Sequence, residues 1–471
     1  MKTNFYITTT LPYVNAEPHV GFALEIVQAD AVARARRLLG DEVFFNTGTD
    51  EHGLKIHRKA EEQGIPTQEY VDLYAAKFDH LRDLLNLSYT HFIRTTDPHH
   101  KKAAQEFWKR CAVNGDIYKA KYTVKYCVGC ELEKTESELV DGKCPLHPNL
   151  ELELIDEENY FFRFSKYQKP LLELYKAHPE FVKPAHRLEE IRNFVQEGLT
   201  DFSISRLASK MPWGVPVPGD EEHVMYVWFD ALVNYISTTG WPENPASFEQ
   251  WWPGTQVAGK DNLRQQSAMW QAMLLSAQLP PSKQIIVHGF ITSEGKKMSK
   301  SVGNVVSPAE IVERFGTEAT RYYLLHEIPA LDDGDFSYQR MQEIYNSDLA
   351  NELGNLVMRL TTLGAKDELS VDQANPPDTA EDVFAKTSSF QFNEALELIW
   401  KEIKKLNKEI DGFEPWKKQP AERGAFLISG LQKIYQIAYL LQPFMPGTAA
   451  IIMEVTSGTI SKCPPLFPKK Q

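Results

Sequence analysis

Hydrophobic and polar positions fall into two registers along the first part of the chain. Residues 5–10 are apolar and β-rich, which predicts a strand. Residues 23–39 carry apolar side chains at helical spacing, with Val27, Ala31, Ala35 and Leu38 on one face. The stretch between them is a loop that leads from a strand into a helix. A second strand, 42–47, ends in Gly48-Thr49-Asp50-Glu51-His52-Gly53 and is followed by a helix over 54–63. Residues 66–112 continue as helix, with Tyr74, Phe78, Leu81, Leu84 and Leu85 as the apolar stripe. Downstream, 224–229, 256–261 and 284–287 read as strands, and 230–238 and 265–277 as helices. From Tyr338 the pattern is helical, broken by a polar, proline-containing loop over 368–380: Leu349, Leu353, Leu356, Val357 and Leu360 share a face, and a helix over 392–410 turns Leu396, Ile399, Ile403, Leu406 and Ile410 inward. Strands alternating with helices, then helices alone, predict an α/β parallel sheet followed by an α-helical bundle.

A chain of 471 residues has room for about three domains. At 42% hydrophobic and 24% charged, its composition is that of a soluble globular protein. No apolar run approaches membrane-spanning length, and Met1-Lys2-Thr3-Asn4 has no apolar signal core, so a cytoplasmic protein without a membrane partner is expected. The net charge of −13 argues against non-specific nucleic-acid binding, leaving RNA recognition to local patches.

Candidate chemistry sits at the element boundaries. His19 and Gly21 fall at a helix N-terminus, where free N–H groups and the positive dipole end favour phosphate. Gly21 lets a base or sugar approach the backbone. No Walker-type loop occurs anywhere. Asp50, at a strand's carboxyl end, is placed to meet a cation; Asp261 suits a ribose hydroxyl, and Gly259 admits the sugar. The basic segment Gly295-Lys296-Lys297-Met298-Ser299-Lys300-Ser301 suits triphosphate chemistry. Cys127-x₂-Cys130 and Cys144-x₂-His147 have the spacing of two knuckles that close a tetrahedron around Zn²⁺. Four protein ligands leave no open position, so the zinc is expected to be structural. Cys111 and Cys463 lack partners.

Pro18-His19-Val20-Gly21 near the N-terminus and Lys297-Met298-Ser299-Lys300-Ser301 two-thirds along the chain resemble the class I aminoacyl-tRNA synthetases. The fuller match, over nearly the whole chain, is to the methionyl-tRNA synthetases. The resemblance implies a Rossmann-type catalytic domain split by a zinc-binding insertion and followed by an anticodon-binding bundle. It divides the chain at 1–115 (first catalytic half), 116–205 (insertion), 206–335 (second half with the lysine loop) and 336–471 (bundle). It further implies ATP, with Mg²⁺, L-methionine and a methionine-accepting tRNA as partners, and a methionyl-adenylate intermediate.

On the same resemblance, His19, Lys297 and Lys300 are catalytic, and His19, Gly21, Gly259, Asp261 and Lys300 bind ATP. Asp50 meets the α-ammonium of methionine, whose side chain lies among Leu11, Tyr13, Trp228, Ala231, Leu232, Tyr235, Gln266 and Trp270. Asn355, Arg359 and Trp416 read the anticodon, and Arg206 faces the tRNA end or the nucleotide. Some family members append a dimerising barrel; without one, a monomer is expected. Two positions depart from the family pattern: Phe22 stands where a second histidine is usual, and Gln266 where a histidine is common. These departures keep one rival in view, a catalytically weak paralogue that binds tRNA; a class I synthetase for another apolar amino acid is a separate alternative.

Overall fold

The computed structural model describes residues 3–130, 132–134, 138–298 and 304–470. At its centre β1 (Asn4–Thr9) pairs with β2 (Glu42–Thr49), and β2 with β3 (His91–Arg94). On the other side lie β4 (Val182–Lys183), β5 (Thr255–Gly259) and β6 (Gln284–His288). The sheet order is β3-β2-β1-β5-β6-β4, and every pairing is parallel. Strands buried on both faces read as continuous apolar runs, which is why β1 and β6 are visible in the sequence: Phe5–Thr9 and Ile285–His288 are all buried. The chain winds outward from β1 to β3, then resumes on the opposite side. This reversal opens a crevice between the carboxyl ends of β1 and β5, where ligands gather in open α/β sheets.

α1 (Val20–Leu38) follows β1 and shows no clean amphipathic face, because it is sandwiched. Helix Ala380–Ser388 packs on it from the bundle, and 14 of its 19 residues are buried. Its Asp30 takes Arg321 Nη2 at 2.7 Å, both side chains fully buried. Arg321 also donates to the carbonyls of Leu85, Pro443 and Phe444. Burial alone would raise the Asp30 carboxyl; Arg321, Arg34 and Ser88 overcome it and hold the group below its ordinary range. One guanidinium thereby ties the sheet to the bundle.

Two stretches differ from the expectation. Residues 66–112 are not one helical run. Helices Thr67–Asp79 and Leu81–Leu84 end before Asn86, which is left-handed at φ 49°; β3 follows, and helix Pro98–Val113 starts afresh. Four residues are too few to show a period of two, and β3 is specified by its pairing with β2, Asn46↔His91 through Thr49↔Arg94. Residues 224–229 are not a strand of the central sheet. Strand Asp220–Met225 is antiparallel, between Pro216–Val217 and Ser205–Leu207, and Val227–Ala231 is already helical. The apolar run hides the boundary because both the strand end and the first helical turn are buried.

Between the sheet halves, strands Leu132–Lys134, Ile117–Cys127, Glu153–Phe162 and Phe202–Ser203 form an antiparallel sheet. After the sheet, helices Tyr338–Ile344, Asn355–Lys366, Phe392–Phe413, Pro420–Leu441 and Pro446–Val455 build the bundle. Leu396, Ile399, Ile403, Leu406 and Ile410 all point inward. Among the described residues no helix is long and apolar enough to cross a membrane.

Candidate active site

A cavity of about 710 Å³ opens at the crevice. Its nucleotide end begins at His19. This residue is the N-cap of α1, and its Nδ1 accepts the N–H of Gly21 at 3.1 Å. The cap fixes the tautomer: with Nδ1 accepting, the ring proton sits on Nε2. A Cβ on Gly21 would lie 2.9 Å from His19 Cε1 and 3.0 Å from Nδ1, so only glycine leaves the imidazole in this place. Phe22 packs edge-on against Phe78 at 5.4 Å and is almost wholly buried. It supplies apolar packing where an imidazole would supply a donor.

Gly259 ends β5, Asp261 follows it, and both line the same cavity. A Cβ on Gly259 would stand 2.7 Å from Asp261 Oδ1. Two further residues at this end escaped the sequence reading. Glu25, one turn into α1, accepts from the N–H and Oγ1 of Thr10, each at 2.7 Å, and from His288 Nε2 at 2.8 Å. Burial disfavours the charged His288, but the Glu25 carboxylate against it outweighs this and raises its pKa above the ordinary imidazole value. A lone acid inside the apolar 22–27 run and a histidine closing a buried strand were the available signals.

The amino-acid end is built on backbone pairing between the loop after β1 and the end of β2. Asp50 N–H donates to Pro12 O at 3.0 Å, and Val14 N–H donates to Asp50 O at 3.2 Å. Asp50 does not cap the following helix, whose N-cap is Gly53. Leu11, Tyr13, Asp50, Trp228, Ala231, Leu232, Tyr235 and Gln266 all line the cavity. The indole N–H of Trp228 is buried without a hydrogen-bond partner among the described residues. Gln266 lies in a π-helical turn, Gln265–Met269, a geometry frequent at functional sites. Trp270 is not in the wall. It is fully buried one layer back, its ring 6.0 Å from Tyr235 and 5.5 Å from Phe107, because helix Trp270–Ser276 turns that face to the core. Arg206 is likewise nearly buried, its guanidinium 4.4 Å from the centre of the Tyr226 ring.

Met298, on the lysine segment, lines the cavity and packs on the core. The backbone of Lys297 pairs with Thr292; Lys300 lies outside the described residues.

Cys127, Cys130, Cys144 and His147 come together, their ligand atoms all within 4.8 Å of one another. Cys130 Sγ is 3.5 Å from Cys144 Sγ and 3.2 Å from His147 Nδ1, and Cys127 Sγ is 3.8 Å from His147 Nδ1. Tetrahedral Zn²⁺ with Zn–S bonds of about 2.3 Å requires edges of about 3.8 Å, so the set fits zinc with all four positions filled. A Cβ on Gly129 would lie 2.5 Å from the His147 ring, so the knuckle needs glycine there. Lys55 Nζ donates to Gly129 O at 3.0 Å, and Gly129 and Cys130 line the cavity, so the knuckle abuts the site.

In the bundle, Asn355 is exposed one turn before Arg359. Arg359 Nη2 pairs with Asp411 at 2.7 Å, and its guanidinium lies 4.8 Å from the centre of the Trp416 ring, which is 45% exposed. An exposed indole beside a guanidinium is a surface on which an unpaired base can stack.

The model of the tRNA synthetases class I (M) family matches residues 5–152 and 148–361. The methionine–tRNA ligase of Nostoc sp. strain PCC 7120 is 42% identical over 96% of this chain and 90% of its own length. That of Brucella melitensis is 40% identical over 98% of this chain and 93% of its own. Among solved structures, Mycobacterium tuberculosis methionyl-tRNA synthetase bound by methionyl-adenylate superposes with a TM-score of 0.92 at 36% identity, covering 99% of this chain and 100% of that one. Its apo form gives 0.85 at 32% identity, over 100% and 99%. With a split parallel sheet, a four-ligand knuckle and a helical bundle in the same chain order, this protein belongs to the methionyl-tRNA synthetase family of class I tRNA synthetases.

Proposed function

We propose that the protein activates L-methionine with ATP and transfers it to a methionine-accepting tRNA. The observation that carries this reading is one cavity holding both a phosphate-facing helix cap, His19, and an aromatic chamber closed by Asp50, Tyr13, Trp228 and Tyr235. Methionine fits the chamber: its ammonium pairs with Asp50, and its polarizable thioether lies among aromatic and aliphatic walls. ATP, entering as its Mg²⁺ complex, lies with its phosphates at His19 and the N-terminus of α1 and its ribose at Gly259 and Asp261. The carboxylate of methionine attacks the α-phosphorus in line and pyrophosphate leaves; the terminal ribose hydroxyl of tRNA then attacks the acyl carbon and AMP leaves. Side chains do little covalent work in phosphoryl transfer; they position groups and stabilise charge. His19 Nε2–H donates to the phosphates, and Lys297 and Lys300 meet the charge that grows on the departing pyrophosphate. Cys127, Cys130, Cys144 and His147 hold a structural zinc, which fixes the knuckle. Asn355, Arg359 and Trp416 read the anticodon.

The test is exchange of labelled pyrophosphate into ATP with each of the twenty amino acids in turn. Methionine should support exchange far above the others. Exchange led by leucine, isoleucine or valine, or by none, would refute the assignment.

A further inference from the structure

Behind the amino-acid end of the cavity lies a chain of buried polar groups on β5, on the helix Trp270–Ser276 and on the turn before β6. Gln256 and Gln271 are fully buried, and Ser282 and Gln266 nearly so. Amide orientation is usually chosen to suit a network, but here two backbone groups determine it. The Ser282 N–H, which can only donate, reaches Gln271 Oε1 at 3.0 Å. The Gln266 carbonyl, which can only accept, receives Gln271 Nε2 at 2.8 Å. Gln271 is therefore fixed, and its Nε2 also donates to Ser282 Oγ at 3.0 Å.

The remaining bonds follow in one direction. Ser282 Oγ has accepted, so its own proton goes to Gln256 Oε1. That places Gln256 Nε2 against Gln266 Oε1, to which it donates at 3.0 Å. Gln266 Nε2 must then donate to the Tyr235 hydroxyl, at 2.6 Å. Among the described residues no acceptor is bonded to the Tyr235 proton. Tyr235 and Gln266 line the cavity, so the proton's outlet is the chamber itself. Burial pushes the Tyr235 phenol well above its ordinary range, so it keeps that proton at neutral pH.

We propose that Gln256, Ser282 and Gln271 are positioning residues for amino-acid selection: through Gln266 they turn the Tyr235 hydroxyl into a donor aimed at an acceptor on the substrate side chain, the thioether sulfur. The proposal rests on the methionine reading above. It concerns specificity, because a hydrocarbon side chain of equal length offers no acceptor. A histidine at position 266 would join only through its own tautomer, whereas the glutamine is set through Gln271 by its own carbonyl and the Ser282 N–H.

Norleucine, in which a methylene replaces the sulfur, is the discriminating probe. Gln256→Met keeps the volume and removes both of its bonds in the relay, freeing the Gln266 amide to turn its oxygen to Tyr235 and take the proton out of the chamber. In pyrophosphate exchange the KM for methionine should rise about tenfold, as loss of one hydrogen bond allows. The KM for norleucine should stay within about twofold, with kcat and the KM for ATP nearly unchanged. Ser282→Ala should act in the same direction and Ser282→Thr, which keeps the hydroxyl, should restore selection; this pair decides the matter if Gln256→Met does not fold. Equal losses for methionine and norleucine, or no change in their ratio in any variant, would overturn the relay while leaving methionine activation standing. A wild-type protein that activates neither compound would overturn both.

Discussion

Gly21→Ala separates folding from catalysis at the helix cap. Gly21 has no positive φ, so alanine meets no backbone penalty there, and replacing a helical glycine gains about 0.5–1 kcal/mol. The new methyl stands 2.9 Å from His19 Cε1 and 3.0 Å from Nδ1, closer than side-chain carbons approach. The imidazole must leave the cap, which costs about 1 kcal/mol as the bond to the Gly21 N–H is lost. The two effects nearly cancel, so the urea midpoint should barely move. The imidazole has nevertheless been swung away from the phosphates. Removing one preorganised donor from such a site lowers turnover by about 10²–10³-fold. The assay is methionine-dependent pyrophosphate exchange alongside a denaturant melt, with His19→Ala as the reference for loss of the imidazole without crowding. Full exchange activity in Gly21→Ala would refute the argument, as would a large fall in stability with unchanged turnover per folded molecule.

Cys144→Ser should lower bound zinc from one per chain to near zero in elemental analysis and unfold the insertion at lower temperature than the rest; zinc-free wild-type protein would exclude the metal. Trp416→Ala should reduce kcat/KM for tRNA charging by an amount matching about 1–3 kcal/mol of base stacking, with pyrophosphate exchange unchanged; equal loss in both steps would show a folding role. The Glu25–His288 pair predicts a pH dependence. Because the folded-state pKa of His288 is raised, its contribution is complete below the unfolded value of about 6.5 and lost as pH rises through the folded one. Wild type should therefore lose stability relative to Glu25→Gln on going from pH 6 to pH 8, measured by urea unfolding; parallel curves would count against the pair.

What the sequence discloses follows the range of the interactions that set each feature. β1, the loop after it and the cap at His19 are local: a buried strand, a proline-bearing turn and a helix start lie within 22 residues, and each leaves its pattern. The zinc set is legible for the same reason, two x₂ spacings. β3 is not, because four residues acquire their conformation from β2. The boundary near Met225 is hidden by burial on both sides. Glu25 and His288 meet only because β6 sits next but one to β1 in the sheet, 263 positions apart in the chain. The Gln256–Ser282 contact likewise depends on the crossover between β5 and β6. Trp270 is assigned to the chamber by the family resemblance alone, and the helix orientation that buries its ring beside Tyr235 leaves no local pattern in the sequence.

The most direct measurement of the central claim is to look for the intermediate itself. The purified protein is incubated with MgATP, L-methionine and inorganic pyrophosphatase in the absence of tRNA, and the bound small molecules are released by acid and weighed by mass spectrometry. The account predicts methionyl-adenylate at about one per active site, discharged onto methionine-accepting tRNA when that is added. Active sites that hold ATP and methionine unreacted, or an adenylate of another amino acid formed in preference, would contradict it.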